Sequence, residues 1–415
     1  MTVPTATSAR AGLLLLCAGR MLQASAATLW AGSMVRMMAE WNLSAAQAGA
    51  VQSAWTLGYM VSLCGTGFIA DRVGPRRVVL ASAVLTAAAM LVFAWFSNGP
   101  ALTALLYGLV GLCAGGSYSP ALQLVAGNAQ PHIRGRSMGM FIGAASLGYG
   151  LSLLLVALLA SRWSWPETSA LVAGLVTLGA LLTMVALTRL KPDAVAPAQR
   201  EHALRTTLRE TLHDKPALFS SAAYAAHCWE LMALWAWLPA YLAFVVGHAG
   251  LNPEHGLFIA ALSHVVSVAG SLLGGSASDR YGRVRVMMLA TCASLCCSFL
   301  FGWMASAPVW MLLVFAALYN LLAIADSSVY STALCDVVPA SRLGTAFAVR
   351  SLMGFGAGAI SPWLFGMVLD WGQRTFALPA SGWTLAWTLV GVGALAGPWS
   401  IRRFHQLSGK AVPGR

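Results

Sequence analysis

The sequence predicts an all-α membrane protein of 12 transmembrane helices arranged as two six-helix bundles. Three observations carry this: an apolar composition, a train of apolar segments of spanning length, and an internal repeat. Of 415 residues, 58% are hydrophobic and 9% charged, against about 25% charged in soluble domains. The mean hydropathy is +0.72. A soluble fold has too little interior for so much apolar surface, so the solvent for much of it is lipid.

A spanning helix needs about 20 mostly apolar residues. Six such segments lie near 12–38, 46–70, 78–97, 101–127, 137–160 and 167–190, and six more near 216–247, 256–278, 286–305, 308–334, 344–369 and 381–401. The first begins like a secretory signal, with Leu13–Leu16 and a cleavage-like Ala24, Ser25, Ala26. The apolar run nevertheless passes through Arg20 and resumes to about Met38, so it is read as a membrane helix. Between the two sets, Leu204, Leu208 and Leu212 recur every fourth residue among Arg200, Arg205, Arg209 and Glu210. This is the pattern of a short amphipathic helix lying on the membrane. The expected organisation is a bundle over 1–190, a cytoplasmic linker over 191–215, and a bundle over 216–415 ending in a short cytoplasmic tail.

The net charge of +12 is read as loop anchoring rather than nucleic-acid binding. With both termini in the cytoplasm, all but five of the 25 Lys and Arg fall in cytoplasmic loops or termini; the five are Arg20, Arg36, Arg162, Arg350 and Arg374. This is the positive-inside bias. The eight cysteines lie in or beside apolar runs without zinc-ligand spacing, so no metal and no cofactor are expected.

Gly67, Asp71, Arg72 and Gly74 follow the second segment, and Gly275, Asp279, Arg280 and Gly282 follow the eighth, each 208 residues on. The same separation aligns Leu43 with Leu251, Arg134 with Arg342, Gly148 with Gly356 and Gly150 with Gly358. Two like-oriented copies of a six-helix unit are a transporter architecture with its site between the halves near midplane.

The pattern G-x-x-x-D-R-x-G-x-R between the second and third helices, with its degenerate return between the eighth and ninth, resembles the signature loop of the major facilitator superfamily. The resemblance covers the whole chain. It implies a monomeric secondary transporter working by alternating access. It implies that Gly67, Asp71, Arg72, Gly74 and Arg77, with Asp279 and Arg280 as the weaker copy, form a cytoplasmic latch holding the halves in the outward-open state. Gly67 is expected to allow close helix approach there. It also implies that helices one, four, seven and ten line the central cavity.

An ionisable residue at membrane depth costs roughly 2.5–3.5 kcal/mol on insertion scales, so each needs a reason. Arg20 lies ~12 Å into the first helix at ~1.5 Å per residue. Glu230 lies in the seventh, after His227 and Cys228, Asp326 in the tenth and Arg350 in the eleventh. A buried guanidinium suits a carboxylate or another oxyanion; a buried acid can carry a proton. Arg20, Tyr118, Trp229 and Arg350 are therefore the expected substrate contacts, and Glu230, Asp326 and His227 the proton-coupling groups, with His264 a further histidine at membrane depth. The other reading pairs Arg20 with Glu230, or Arg350 with Asp326, to hold helices together.

Two family patterns are missing. The fourth-helix arginine common among proton-coupled members is replaced by Tyr107, and the Gly-Pro pair of drug antiporters is absent from the fifth helix, which reads Gly148, Tyr149, Gly150. The expected function is proton-coupled uptake of a small organic anion across a bacterial inner membrane. Drug or metabolite efflux is the alternative within the class, and a non-transporting membrane sensor the alternative outside it. No Ser-His, HExxH or paired-acid arrangement points to an enzyme, and no P-loop to a primary pump.

Overall fold

The computed structural model describes residues 6–130, 134–191, 204–339 and 342–411; among them there are helices and no strand. The first half comprises α1 (Ser8–Glu40), α2 (Ala45–Val73), α3 (Pro75–Phe96), α4 (Pro100–Asn128), α5 (Arg134–Leu159) and α6 (Trp165–Arg189). The second comprises α7 (Lys215–His248), α8 (Glu254–Tyr281), α9 (Arg283–Ser306), α10 (Val309–Val337), α11 (Leu343–Thr375) and α12 (Pro379–Ser408). Local chemistry starts them. Ser44 and Gln47 cap α2 reciprocally, Ser164 and Glu167 cap α6, and Asp214 accepts from the Ala217 amide at the start of α7.

Counting the described residues alone, eleven of these helices are long and apolar enough by themselves to cross a bilayer, and α2 is not among them. Its environment explains why. A Cβ on Gly58 would lie 2.0 Å from the Gly108 carbonyl oxygen of α4, and one on Gly49 2.3 Å from the Pro362 carbonyl oxygen of α11. Sheathed this closely by protein, α2 tolerates a buried Gln52. On the outer surface of the bundle, large apolar side chains such as Trp95, Leu105 and Leu289 are mostly exposed, as lipid-facing positions must be.

Four helices are interrupted. A tight turn at Ser25–Thr28 breaks α1, and another at Gly115–Ser117, followed by Tyr118, breaks α4. In α10 the break falls at Asp326 and in α12 at Leu395. Tyr118 and Asp326 are 208 residues apart, so the repeat preserves the interruption while changing the side chain placed there.

The halves meet along two seams. In one, α5 packs on α8: a Cβ on Gly150 would lie 3.0 Å from the Ala261 carbonyl oxygen and one on Gly139 2.8 Å from Leu272. In the other, α2 packs on α11: a Cβ on Gly366 would lie 2.2 Å from the Ala45 carbonyl oxygen. This seam is clamped at its end. Both carboxylate oxygens of Asp370 accept 2.8 Å hydrogen bonds, from the backbone amides of Ala45 and Ala46. These amides open α2 and have no partner within their own helix, and a helix N-terminus favours an anion.

At the opposite end stand the two repeated loops. Gly74 and Gly282 adopt φ 90°, with ψ 143° and 145°, and a Cβ on either would meet nothing within 4 Å. The requirement for glycine there is conformational, not steric. Gly67 differs from expectation: nothing lies within 4 Å of a Cβ built on it, so no helix approaches it closely in this arrangement. Arg76 donates to the Leu190 and Lys191 carbonyls, and Arg283 pairs with Asp279 and, at 3.5 Å, with Asp336. These contacts stay within one half. Arg72 and Arg77 are exposed, and Arg280 lies over the Tyr281 ring. The Asp71 side chain lies outside the described residues, as do residues 192–203 of the 191–215 linker. The described part, a helix over Leu204–His213, is tied to the start of α11 by Arg342, which reaches Asp214 at 3.7 Å and Glu210 at 4.0 Å. Leu208 and Leu212 on this helix are exposed.

Two outcomes are expected. Gly282→Ala should cost about 1–3 kcal/mol of backbone strain, visible as a lower Tm in detergent, with no change in packing. Asp370→Ala should speed hydrogen exchange of the Ala45 and Ala46 amides about tenfold or more, as read by mass spectrometry of the peptide opening α2.

Candidate substrate-binding cavity

Between the halves lies a cavity of about 100 Å³, lined from α1, α2, α4 and α5 on one side and from α7, α10 and α11 on the other. Arg20 reaches it from α1. The side chain is 8% exposed, its Nη1 donates to Ser117 Oγ at 2.8 Å, and its Nε has no hydrogen-bond partner. The break in α4 is what brings Ser117 and Tyr118 to it. The guanidinium carbon sits 5.9 Å from the Tyr118 ring centre and 5.8 Å from that of Phe141, within cation–π range. Tyr59 and Tyr149 also face it. No carboxylate pairs with it among the described residues.

On the other half, His227 lines the cavity, and its Nδ1 lies 2.9 Å from Asp326 Oδ1; both side chains are 3% exposed. Asp326 Oδ2 accepts from Thr291 at 2.8 Å, and the Thr291 hydroxyl also meets the Tyr330 hydroxyl at 2.9 Å. Asp326 is thus held by polar partners on α7 and α9 just behind the cavity wall.

Glu230 does not reach the cavity. It accepts from Ser298 at 2.6 Å and Ser294 at 2.9 Å on α9, and Ser298 meets the Tyr319 hydroxyl at 2.5 Å. Arg350 also stands back. It donates to Ser331 Oγ at 2.6 Å and lies 4.3 Å above the ring of Tyr224, which itself lines the cavity. Neither Arg20–Glu230 nor Arg350–Asp326 is an ion pair. Trp229 is likewise turned away, donating to the Val390 carbonyl of α12 at 3.2 Å. The face of α7 on the cavity runs through Tyr224, His227, Cys228, Leu231, Met232 and Trp235, the i, i+3, i+4 rhythm of one helix side. Residues 229 and 230 fall about 100° or more off that face, and Trp235 takes the place expected of Trp229.

The aromatic walls were missed. Trp55 and Tyr59 stack on α2, with ring centres 5.0 Å apart and planes at 11°. Tyr59 meets Phe355 of α11 at 5.3 Å, and Tyr149 of α5 meets Trp235 of α7 at 5.0 Å. Each pair joins the two halves beside the cavity. The i, i+4 spacing of Trp55 and Tyr59 was a usable signal. Tyr107 is not a wall residue: its hydroxyl donates to the Ala26 carbonyl at 2.8 Å and it is fully buried. His264 has no polar partner on either ring nitrogen and packs against Tyr149 and Trp235.

Twelve helices in two like halves around a central cavity with a buried charge define a multi-pass membrane transporter. Residues 12–266 and 250–408 match the family model described as Major Facilitator Superfamily, and the chain belongs to that superfamily. It is 26% identical over 380 residues to a probable sulfoacetate transporter of Cupriavidus necator, covering 86% of this chain and 85% of the relative. It is 25% identical to a hexuronate transporter of Bacillus subtilis, covering 79% and 80%. A crystal structure of a nucleoside transporter superposes with a TM-score of 0.76 at 15% identity, over 95% of this chain and 99% of that one; this likeness speaks for the fold.

Trp235→Leu should weaken solute binding to purified protein about tenfold, while Trp229→Phe should leave it within about twofold, since loss of a buried aromatic contact matters only where the ring meets the solute. Equilibrium binding on both variants checks this.

Proposed function

We propose that this protein takes up a small organic anion together with a proton, by alternating access of its two halves. Arg20 is the observation that carries the reading: a buried guanidinium turned to a central cavity, with no carboxylate among the described residues to neutralise it. A carboxylate or sulfonate entering the cavity supplies the missing charge, and the planar fork of donors suits either. The named cargoes of the two relatives, sulfoacetate and hexuronate, are both anions. The facing His227–Asp326 pair supports the proton's part. It is an acid and a base in contact at the wall, in the half that Arg20 does not occupy. Protonating it as the anion binds makes the loaded carrier close to neutral, which lowers the cost of moving the site through a low-dielectric barrier. Glu230, behind the wall, is a second acid on the same half.

In this reading the Arg-rich loops, both termini and the linker face the cytoplasm of a bacterial inner membrane, and the working unit is a monomer of two bundles over 1–190 and 216–415. The clamp at Asp370 then closes the outer end. The loop residues Gly67, Asp71, Arg72, Gly74 and Arg77, with Asp279 and Arg280, act when the halves rock to close the inner end. The open flank of Gly67 leaves room for that approach.

The test is purified protein in liposomes holding a pH-sensitive dye, given organic anions, sugars or cationic drugs. Acidification driven by an organic anion, reduced about 100-fold or more in Arg20→Ala as expected for loss of a charge-assisted contact, is the expected result. His227→Gln should still bind the anion but fail to acidify the lumen. Alkalinisation by cationic drugs, unaffected by Arg20→Ala, would instead indicate efflux; silence with every solute would favour a sensor.

A further inference from the structure

We propose that the anion is a single-ring aromatic acid bearing one charged group. The inference rests on reading the cavity as an anion site, and three observations narrow that site.

The first is charge. Among the described residues lining the cavity, Arg20 is the one Lys or Arg; Arg350 is screened from it by the Tyr224 ring. One guanidinium, with Nε unpartnered and Nη1 already shared with Ser117, has capacity for one oxyanion group. A dianion would leave its second charge buried without a partner, at a high cost.

The second is the walls. Beyond Arg20 the solute meets ring surface from both halves: the Trp55–Tyr59 stack, Phe355 against Tyr59, and Trp235 against Tyr149. Rings gain from offset or edge contacts with other rings beyond the burial of their area.

The third is size, which sets the upper bound. An apolar cavity of roughly 150 Å³ binds benzene. At about 100 Å³ this one admits a single ring with slight expansion and excludes fused rings.

Benzoate, acetate, 1-naphthoate, terephthalate and galacturonate should be titrated calorimetrically into the purified protein and its variants. Benzoate should bind about tenfold or more tighter than acetate, with naphthoate, terephthalate and galacturonate all weaker than benzoate. Tyr59→Leu should shrink the benzoate advantage to about threefold or less while acetate binding persists, and Tyr59→Phe should restore it. Benzoate no tighter than acetate, or galacturonate tighter than benzoate, would overturn the ring preference and leave the anion site intact. Absence of all binding, or binding indifferent to Arg20→Ala, would overturn the anion site and this inference with it.

Discussion

Arg20 is a charge buried in an apolar helix, and the groups around its guanidinium are a serine hydroxyl and aromatic rings. Moving an ion from water to a medium of low dielectric carries a penalty of several kcal/mol even after relaxation. Ser117, the Tyr59 side chain and two ring faces offset part of it; each neutral contact contributes about 1 kcal/mol. The remainder is left facing the cavity, where in the proposed function an anion meets it. The break in α4 brings Ser117 to Arg20. The cavity spans the junction of the halves, so whatever satisfies Arg20 also touches the other half.

The two halves are alike in backbone and unlike in chemistry. Position 20 is Arg and its repeat, 228, is Cys; position 118 is Tyr and its repeat, 326, is Asp; position 142 is Ile and its repeat, 350, is Arg. The helix interruption at 118 and 326 and the φ of Gly74 and Gly282 persist through the repeat, because backbone geometry is what the rigid-body relation of the halves requires. Side chains at the cavity are free to diverge, and they have done so: the guanidinium is on one half, the imidazole–carboxylate pair on the other. In the proposed cycle this separation lets one half hold an anion and the other exchange a proton without the two charges collapsing into an ion pair.

This contrast also explains what could be read from the sequence. Twelve spans, their repeat and the glycines of both loops were legible, since hydropathy and spacing carry them directly. Arg20, Tyr118, His227 and Asp326 were identifiable because polar groups at membrane depth are rare, and three of the four line the cavity. Helix phase was harder. Trp229 and Glu230 sit at the right depth but about 100° or more round α7 from the solute-facing side, and only the structure shows that they face α12 and α9 instead. The rings of Trp55, Tyr59 and Tyr149 were hidden for a different reason: an aromatic residue in an apolar helix carries no polar signature distinguishing wall from core.

The clamp at Asp370 gives the repeat its mechanical asymmetry. Its counterpart in the first half is Arg162, and the counterparts of Ala45 and Ala46 are Pro253 and Glu254. Arginine cannot accept from an amide and proline has no amide to donate, so the α5–α8 seam has no equivalent clamp. There the contacts include glycine against Ala261, Val268 and Leu272 and Tyr149 against His264. At the other seam, two hydrogen bonds to one carboxylate are made or lost together, at about 1.5–3 kcal/mol each net of the water that replaces them. The clamped end is thereby favoured by a few kcal/mol. That is the range in which differential binding of one solute shifts a two-state balance. In the proposed cycle, a site that demands one anion and an end held by one carboxylate are therefore matched in energy. A larger clamp would lock the carrier shut, and a weaker one would let both ends open without cargo.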